Sequence, residues 1–317
     1  VKDWNLREFH GYNTPQGSTY NSYLIMDDKI TLVDGVKAYL CEEHLARIKS
    51  VVDFSKISYV VVNHVEQDHS GNIPEIMKLA PQAVIVTNAA GKMALEAHFD
   101  TTGWQYQIIK TGDTINIGKR HLSFLTTPML HWPDSMMTYV AEDKLLMPND
   151  GFGQHLCCDA LFVKDYPNCL VEAAAKSYYA NILMPFGAQA EKALVSAGDM
   201  GLDIEMIAPS HGLIWSGKEE VSQILGLYDK WARGEKVKKA VVVYDTMWGA
   251  TAKLAETAAA EFQDAGIPVA KYCLGVTHIS DIMTEILDAE YVLVGTPTLN
   301  NQIFPVSYTH LTLPTIA

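Results

Sequence analysis

The sequence predicts an α/β protein in two unequal parts: a sandwich of two β-sheets with helices outside, then the opening of a parallel, doubly wound sheet. Three observations carry this. Over residues 1–235, short apolar runs alternate with helix-like stretches and close hairpins, so sheet material lies in both halves of the region. A charged stretch at 234–239 (GEKVKK) breaks the pattern and reads as a linker. Beyond it the order becomes strand, loop, helix, strand, as in an open parallel sheet. The 317 residues agree with about two domains at roughly 150 residues each.

The elements follow in order. Residues 18–26 and 29–33 form a hairpin turning at Asp27-Asp28. The run 58–63 (SYVVVN) is continuous and apolar, as expected of a strand buried on both faces, and 83–87 repeats it after a helix at 73–79. Strands at 105–110, 114–117 and 121–126 are separated by Gly112-Asp113 and Gly118-Lys119 turns. Residues 135–147 make a hairpin about Glu142-Asp143. Helices are expected at 168–181 and 188–201, then a short strand at 206–208. After the linker come strand 240–244, helix 250–265, strand 269–273, helix 281–287 and strand 291–294.

Composition narrows the function. Hydrophobic residues make up 48% and charged residues 19%, enough apolar material for a core, which excludes disorder as the main state. Against 24 Lys and Arg stand 37 Asp and Glu, a net charge of −13 that repels phosphate. Neither nucleic acid nor an anionic membrane is an expected partner. No run of 18 apolar residues occurs, so no transmembrane helix is predicted. Cys41, Cys157, Cys158, Cys169 and Cys273 are odd in number and lack C-x-x-C spacing. They suggest neither a disulfide framework nor a thiolate metal site, but a reduced, cytoplasmic enzyme.

The most informative segment is His64-Val65-Glu66-Gln67-Asp68-His69, directly after the strand 58–63. A loop at a strand end can turn several of these side chains onto one point. His131 (MLHWPDS), Asp150 (MPNDGFG) and His211 (APSHG) each stand in a Pro- or Gly-flanked turn after a strand. Any one of them reads as readily as a capping or turn residue. Six in this order do not.

At this point the sequence resembles the metallo-β-lactamase fold, and more closely the flavodiiron proteins, or A-type flavoproteins. TYNSYLI, NHVEQDHSGN, MLHWPDSM, NDGFGQH, YYANILMPF and PSHG carry the resemblance through residues 1–235. It implies a metallo-β-lactamase-like αββα sandwich with two non-haem irons. One is held by His64, Glu66 and His131, the other by Asp68 and His211, with Asp150 bridging. In this pattern His69 is a neighbour and not a ligand. Tyr178 is expected to offer a phenol behind the ligands, while packing is the role of at least one of Tyr178 and Tyr179. Chemistry supports iron separately. Hydrolases of this fold carry His where Glu66 stands, and exchanging imidazole for carboxylate favours iron over zinc.

The segment Asp245–Thr251 (DTMWGAT), between a strand and a helix, gathers hydroxyls, a glycine and free N–H groups into an anion cradle. It is neither a Walker loop nor a dinucleotide fingerprint. It resembles the flavodoxin phosphate loop T-x-T-G-x-T, with Trp248 in place of the middle Thr, as in many flavodiiron proteins. The resemblance implies FMN held by Thr246, Met247, Trp248, Gly249, Ala250 and Thr251. A second loop, with Pro297, Thr298, Leu299, Asn300 and Asn301, would flank the ring. Residues 238–305 are therefore expected to form a truncated flavodoxin-like doubly wound parallel sheet. Residues 306–317 read as translated sequencing-library adapter, since VSYTHLTLPT matches a transposase adapter sequence. The native chain is expected to continue after Pro305 with the third flavin loop.

The implied activity is reduction of O2 to water, of NO to N2O, or of both. A rubredoxin or similar carrier would donate electrons to a head-to-tail homodimer. Two other classes compete: a zinc-dependent hydrolase of the same fold, disfavoured by Glu66 and the flavin loops, and a non-catalytic flavoprotein, disfavoured by the complete ligand set. Among the remaining residues, His10 reads equally as a group near the pocket or a turn residue. His155 reads as a core residue or a support for Asp150. His44, His98, His121 and His278 read as structural, and Cys157-Cys158 as buried thiols.

Overall fold

The computed structural model describes residues 1–312. Two sheets face each other. The first has five strands, in the order Tyr23–Ile25, Ile30–Val33, Ile57–Val61, Val84–Thr87 and Gln105–Ile108. From Ile30–Val33 onward its pairings are parallel. Parallel neighbours need long crossovers, and helices Cys41–Val51, Ile73–Leu79 and Ala89–His98 provide them. The second sheet has six strands, Thr114–Asn116, His121–Thr126, Met136–Val140, Leu145–Met147, Met206–Ile207 and Trp215–Ser216. Hairpins make its first pairings antiparallel. Leu145–Met147 then pairs in parallel with Met206–Ile207, because helices Asn168–Tyr178 and Gly187–Asp199 intervene.

Side-chain alternation along the strands builds the four layers. Val33, Val61, Val86, Phe124, Met136 and Met147 point inward and form the core between the sheets. Their immediate neighbours point the other way. Leu32, Val60 and Ile85 pack under the helices of the first sheet with Ile48, Ile76 and Leu95. Leu125, Met137 and Leu146 pack under those of the second with Val171, Ala190 and Ile224. The arrangement is αββα.

Several elements differ from expectation, among them the first strand of the smaller unit, which begins at Val237 within the stretch read as linker. Helix Cys41–Val51 is not evident in the sequence, because only His44 and Ile48 on it are buried and its apolar stripe is thin. The helix expected over 168–181 changes at Tyr178 into a wider π turn, Tyr179–Leu183. Such turns are common beside functional sites.

Beyond helix Lys218–Ala232, three parallel strands stand in the order Val269–Cys273, Val237–Tyr244, Ala289–Gly295. Helices Ala250–Asp264 and Ile279–Ile286 connect them. The segment expected as a second flavin loop contains a tight hairpin, Thr298–Leu299 against Gln302–Ile303. Asn300 and Asn301 turn it with φ of 51° and 61°, the left-handed values such a turn requires. Helix Pro305–Thr312 follows, over residues for which no helix is expected. The smaller unit touches the larger through Lys176 Nζ to Asp288 Oδ2 (2.8 Å) and Asn181 Nδ2 to the Ser280 carbonyl (3.1 Å). Among the described residues no helix is long and apolar enough to cross a membrane.

Candidate metal centre

The ligand-type side chains collect where strands end. Strand Ile57–Val61 runs out into Asn63 and His64, and the turn is fixed from the neighbouring strand by Asp34. This buried carboxylate accepts from the Asn63 N–H (2.7 Å), Asn63 Nδ2 (3.0 Å) and Asn149 Nδ2 (3.1 Å). It therefore ties the turn bearing His64 to the turn bearing Asp150. Glu66 precedes a single helical turn, Gln67–Ser70, which places Asp68 and His69 side by side. His131 comes from the turn before Met136–Val140, and His211 from the turn after Met206–Ile207.

The His211 turn is clasped by the segment read as TYNSYLI. Thr19 Oγ1 accepts the Gly212 N–H (2.8 Å), Asn21 Nδ2 donates to the carbonyls of Pro209 and Gly212 (both 2.9 Å), and the Tyr23 hydroxyl donates to Pro209 (2.6 Å). Gly212 adopts φ +77°, and a Cβ there would stand 2.6 Å from the Gln154 carbonyl. Only glycine permits this turn.

Two clusters result. The ligand atoms of His64, Glu66, His131 and Asp150 lie within 4.8 Å of one another, and so do those of Asp68, His69 and His211. Asp150 faces both. Its Oδ2 is 3.6 Å from His64 Nε2 and 3.3 Å from His131 Nε2, while Oδ1 is 3.0 Å from His69 Nε2 and 3.3 Å from His211 Nε2. The six expected ligands are brought together. His69, expected as a neighbour of the ligands, also enters a cluster. The turn Gln67–Ser70 aims its Nε2 into the second cluster, 3.4 Å from Asp68 Oδ2, as His211 Nε2 is aimed from 3.2 Å.

Electrostatics test whether a cation fits. Burial works against charge on His64, His131 and His211, but the surrounding carboxylates outweigh it. They lift His131 to about 9, His211 to about 10 and His64 well above its ordinary range. Burial likewise opposes charge on Asp150, yet the imidazoles hold it well below the usual carboxylate range. Protons on the rings thus balance charge that metal ions would otherwise balance. Asp68 is more specific. Both its carboxylate oxygens are buried without an aligned hydrogen-bond donor. Such a group is costly unless a cation stands beside it, a place held here by the protonated His211 ring at 3.2 Å and open to a metal ion.

Ring orientation is set from behind. His64 Nδ1 lies 3.0 Å from Asp134 Oδ2, which also accepts the Val65 N–H at 2.6 Å. His211 Nδ1 donates to the Thr19 carbonyl at 2.7 Å. In both, Nε2 is left for the centre. The motifs read in the sequence do not point to Asp134, Asp34 or Asn21. Their signals are present: an Asp in the Pro-Asp turn three residues after His131, an Asp closing the strand ITLV, and an Asn within TYNSYLI.

A pocket of about 600 Å³ opens onto the metal clusters, with Phe9, His10, Trp132, Tyr178 and Phe186 in its walls. His10 Nε2 is 2.9 Å from Glu66 Oε1, so it belongs to the pocket. Tyr178 faces the pocket, and burial, then the Asp150 charge, pushes its phenol pKa well up. Tyr179 points into the core against Tyr228 and Trp231. His155 packs on His211 and Tyr178, with Nδ1 2.9 Å from Ser18 Oγ. Cys157 and Cys158 are buried, and burial pushes the Cys157 thiol up to about 11 and raises that of Cys158, which disfavours the thiolate.

At the other candidate site, Gly249 takes φ +84° just before helix Ala250–Asp264. Thr246 Oγ1 accepts the Gly249 N–H at 3.0 Å and closes the loop. No side chain caps the helix start, which leaves amides facing the loop, as a phosphate requires. Trp248 projects outward, 94% exposed.

Comparison with known proteins agrees with the two-part fold. Residues 19–212 match the model of the ODP family beta lactamase, and residues 242–314 match that of flavodoxin. A nitric oxide reductase of Moorella thermoacetica is 45% identical over 96% of this chain and 76% of its own. A rubredoxin-oxygen oxidoreductase of Megalodesulfovibrio gigas is 41% identical, with the same coverage of 96% and 76%. The crystal structure of the flavodiiron protein from Giardia intestinalis superposes with a TM-score of 0.94 at 35% identity, covering 98% of this chain and 75% of that one.

Proposed function

The chain belongs to the flavodiiron family, and from that premise we propose that it is an oxidoreductase reducing O2 to water, NO to N2O, or both, with electrons passed through FMN. Glu66 is the observation that carries this. It shares a cluster with His64, His131 and Asp150, a carboxylate-rich donor set that suits iron where an imidazole set would suit zinc.

We assign His64, Glu66 and His131 to one iron, Asp68, His69 and His211 to the other, and Asp150 to both. The division of the two Asp150 oxygens between the two pairs of histidines supports this assignment. Two irons and FMN bound in this way supply the electrons and the binding positions for a diatomic gas. The chain's own residues do the positioning. Asp134 and the Thr19 carbonyl keep His64 and His211 turned inward, and His10 braces Glu66 from the pocket side. Tyr178 keeps its phenol proton beside Asp150.

For FMN we assign Thr246, Met247, Trp248, Gly249, Ala250 and Thr251 to the phosphate. Pro297, Thr298, Leu299, Asn300 and Asn301 are assigned to the ring. The uncapped helix start supports the first group. Residues 1–235 form the metal unit in this scheme and 238–305 the flavin unit. A rubredoxin or similar carrier is the proposed donor and the cytoplasm the proposed location. Head-to-tail pairing of two copies is proposed because, among the described residues, none lining the metal pocket comes from either flavin loop.

The test is metal content together with turnover. Protein expressed anaerobically with ample iron is expected to hold about two irons per chain, and to consume O2 or NO when supplied with reduced rubredoxin. Full zinc occupancy, with no gas consumption after iron loading, overturns the proposal.

A further inference from the structure

Behind the metal centre lies a second cavity with a different character. It sits among helix Gly187–Asp199, helix Lys218–Ala232 and the second sheet. Its deep end is made by Leu130, Gly151 and Phe152, together with Met137 and Leu146. Leu130 is the residue before His131, and Gly151 the residue after Asp150, so this wall is continuous with two metal-centre turns. Its outer end is made by Leu194, Ala197, Ile204 and Leu225, which are only partly buried. The cavity is thus apolar from its rim to the backbone of the metal ligands.

The cavity leaves about 20 Å³ for the centre of a water-sized sphere. One water needs roughly 10–15 Å³ by that measure, so the space is of the order of a single small molecule. Water is nevertheless a poor occupant. It needs two to four polar partners, and Tyr228 supplies the one side-chain hydroxyl among the lining residues. That hydroxyl already accepts the Phe152 N–H at 2.7 Å. A small apolar gas loses little on leaving water and needs no partner here.

We propose that this cavity is a docking site for a neutral apolar diatomic gas, filled from the Leu194–Leu225 side and emptied toward the His131 and Asp150 turns. The role of supplying substrate rests on the reading that the metal centre consumes O2 or NO; the binding of a gas does not. Docking there would give a sparingly soluble substrate an apolar route to the centre besides the open pocket, without any contact to the metals. Ala193, buried on the helix wall, is the natural point at which to fill the space.

Xenon is the probe, because it is apolar, of similar size and inert toward metals. Crystals of the full chain under xenon pressure, or xenon NMR in solution, are expected to show one occupied position between Leu130, Phe152 and Ala193. Ala193→Leu should abolish it, with iron content and Tm close to those of the parent. In that variant KM for the consumed gas should rise roughly threefold or more at unchanged kcat, the pattern of impaired supply and not of damaged chemistry. Ala197→Leu, at the partly exposed rim, narrows the entrance and should raise KM in the same direction should Ala193→Leu fail to fold. Absence of xenon from the parent overturns the proposal, as does an unchanged KM in a folded, filled variant. Xenon bound in a parent that consumes neither gas would count against the proposed activity and leave the docking site standing.

Discussion

Asp150 touches both halves of the metal centre, and His69 touches only one, so their removal should not be equivalent. Asp150→Ala is expected to lose both metals and all turnover. His69→Ala should lose metal mainly from the Asp68 side and keep part of the total, which metal analysis of the two variants reads directly. Equal and complete loss in both would show that His69 serves the whole centre and not the Asp68 side alone. Asp134 is not legible in the sequence, because a second carboxylate behind a histidine has no spacing rule of its own. Groups that orient a ligating histidine commonly change affinity by roughly 10–100-fold.

A different residue sets a pH response away from the metals. His44 is buried, and burial, then nearby positive charge, lowers its pKa from 6.5 to about 4, while Asn72 Nδ2 stands 2.8 Å from its Nδ1. Between those values the unfolded chain binds the proton that the folded one refuses. The contribution of His44 is therefore complete above pH 6.5 and is lost as the pH falls toward 4, on the order of 3 kcal/mol across the window. His44→Gln keeps a partner for Asn72 but cannot titrate. Its Tm should fall less steeply than that of the parent between pH 6.5 and 4, and parallel curves would refute the assignment.

At the scale of elements, the centre depends on short turns more than on long helices. The turn carrying His211 has one residue that admits no side chain. Gly212→Ala combines a positive φ with a Cβ that meets a backbone carbonyl, and strain of this kind costs about 1–3 kcal/mol. The variant should melt at lower temperature and bind less metal, because the turn can relax only by moving His211. Unchanged metal content would mean that Gln154 yields instead. The π turn after Tyr178 has the complementary effect: it sends Tyr178 to the pocket and Tyr179 to the core, although the two are adjacent in the sequence.

For the molecule as a whole, the metals and the sandwich are expected to be coupled. The ligands come from the ends of strands in both sheets and leave Asp68 without hydrogen bonds, so binding in the native state has no counterpart in the unfolded chain. A ligand present at about 100 times its Kd adds roughly 2.7 kcal/mol of stability. Chelation should therefore lower Tm by several degrees and reloading should restore it, as followed by calorimetry. No change on chelation would mean that the clusters do not bind metal tightly.

What the sequence determined by itself is whatever rests on local order. Continuous apolar runs such as SYVVVN specify buried strands, the Gly-Asp and Asp-Asp pairs specify turns, and ligand-type residues directly after strands specify a metal site, because strand ends gather at one edge of a sandwich. The tertiary structure alone decided what depends on direction and on distant partners. Whether His69 points at the metals, whether Asp134 reaches His64 from 70 residues away, and whether an apolar space survives behind Asp150 are settled by how two sheets and their helices pack. Each side chain takes one rotamer among several that its local sequence permits, and only neighbours remote in the chain exclude the others.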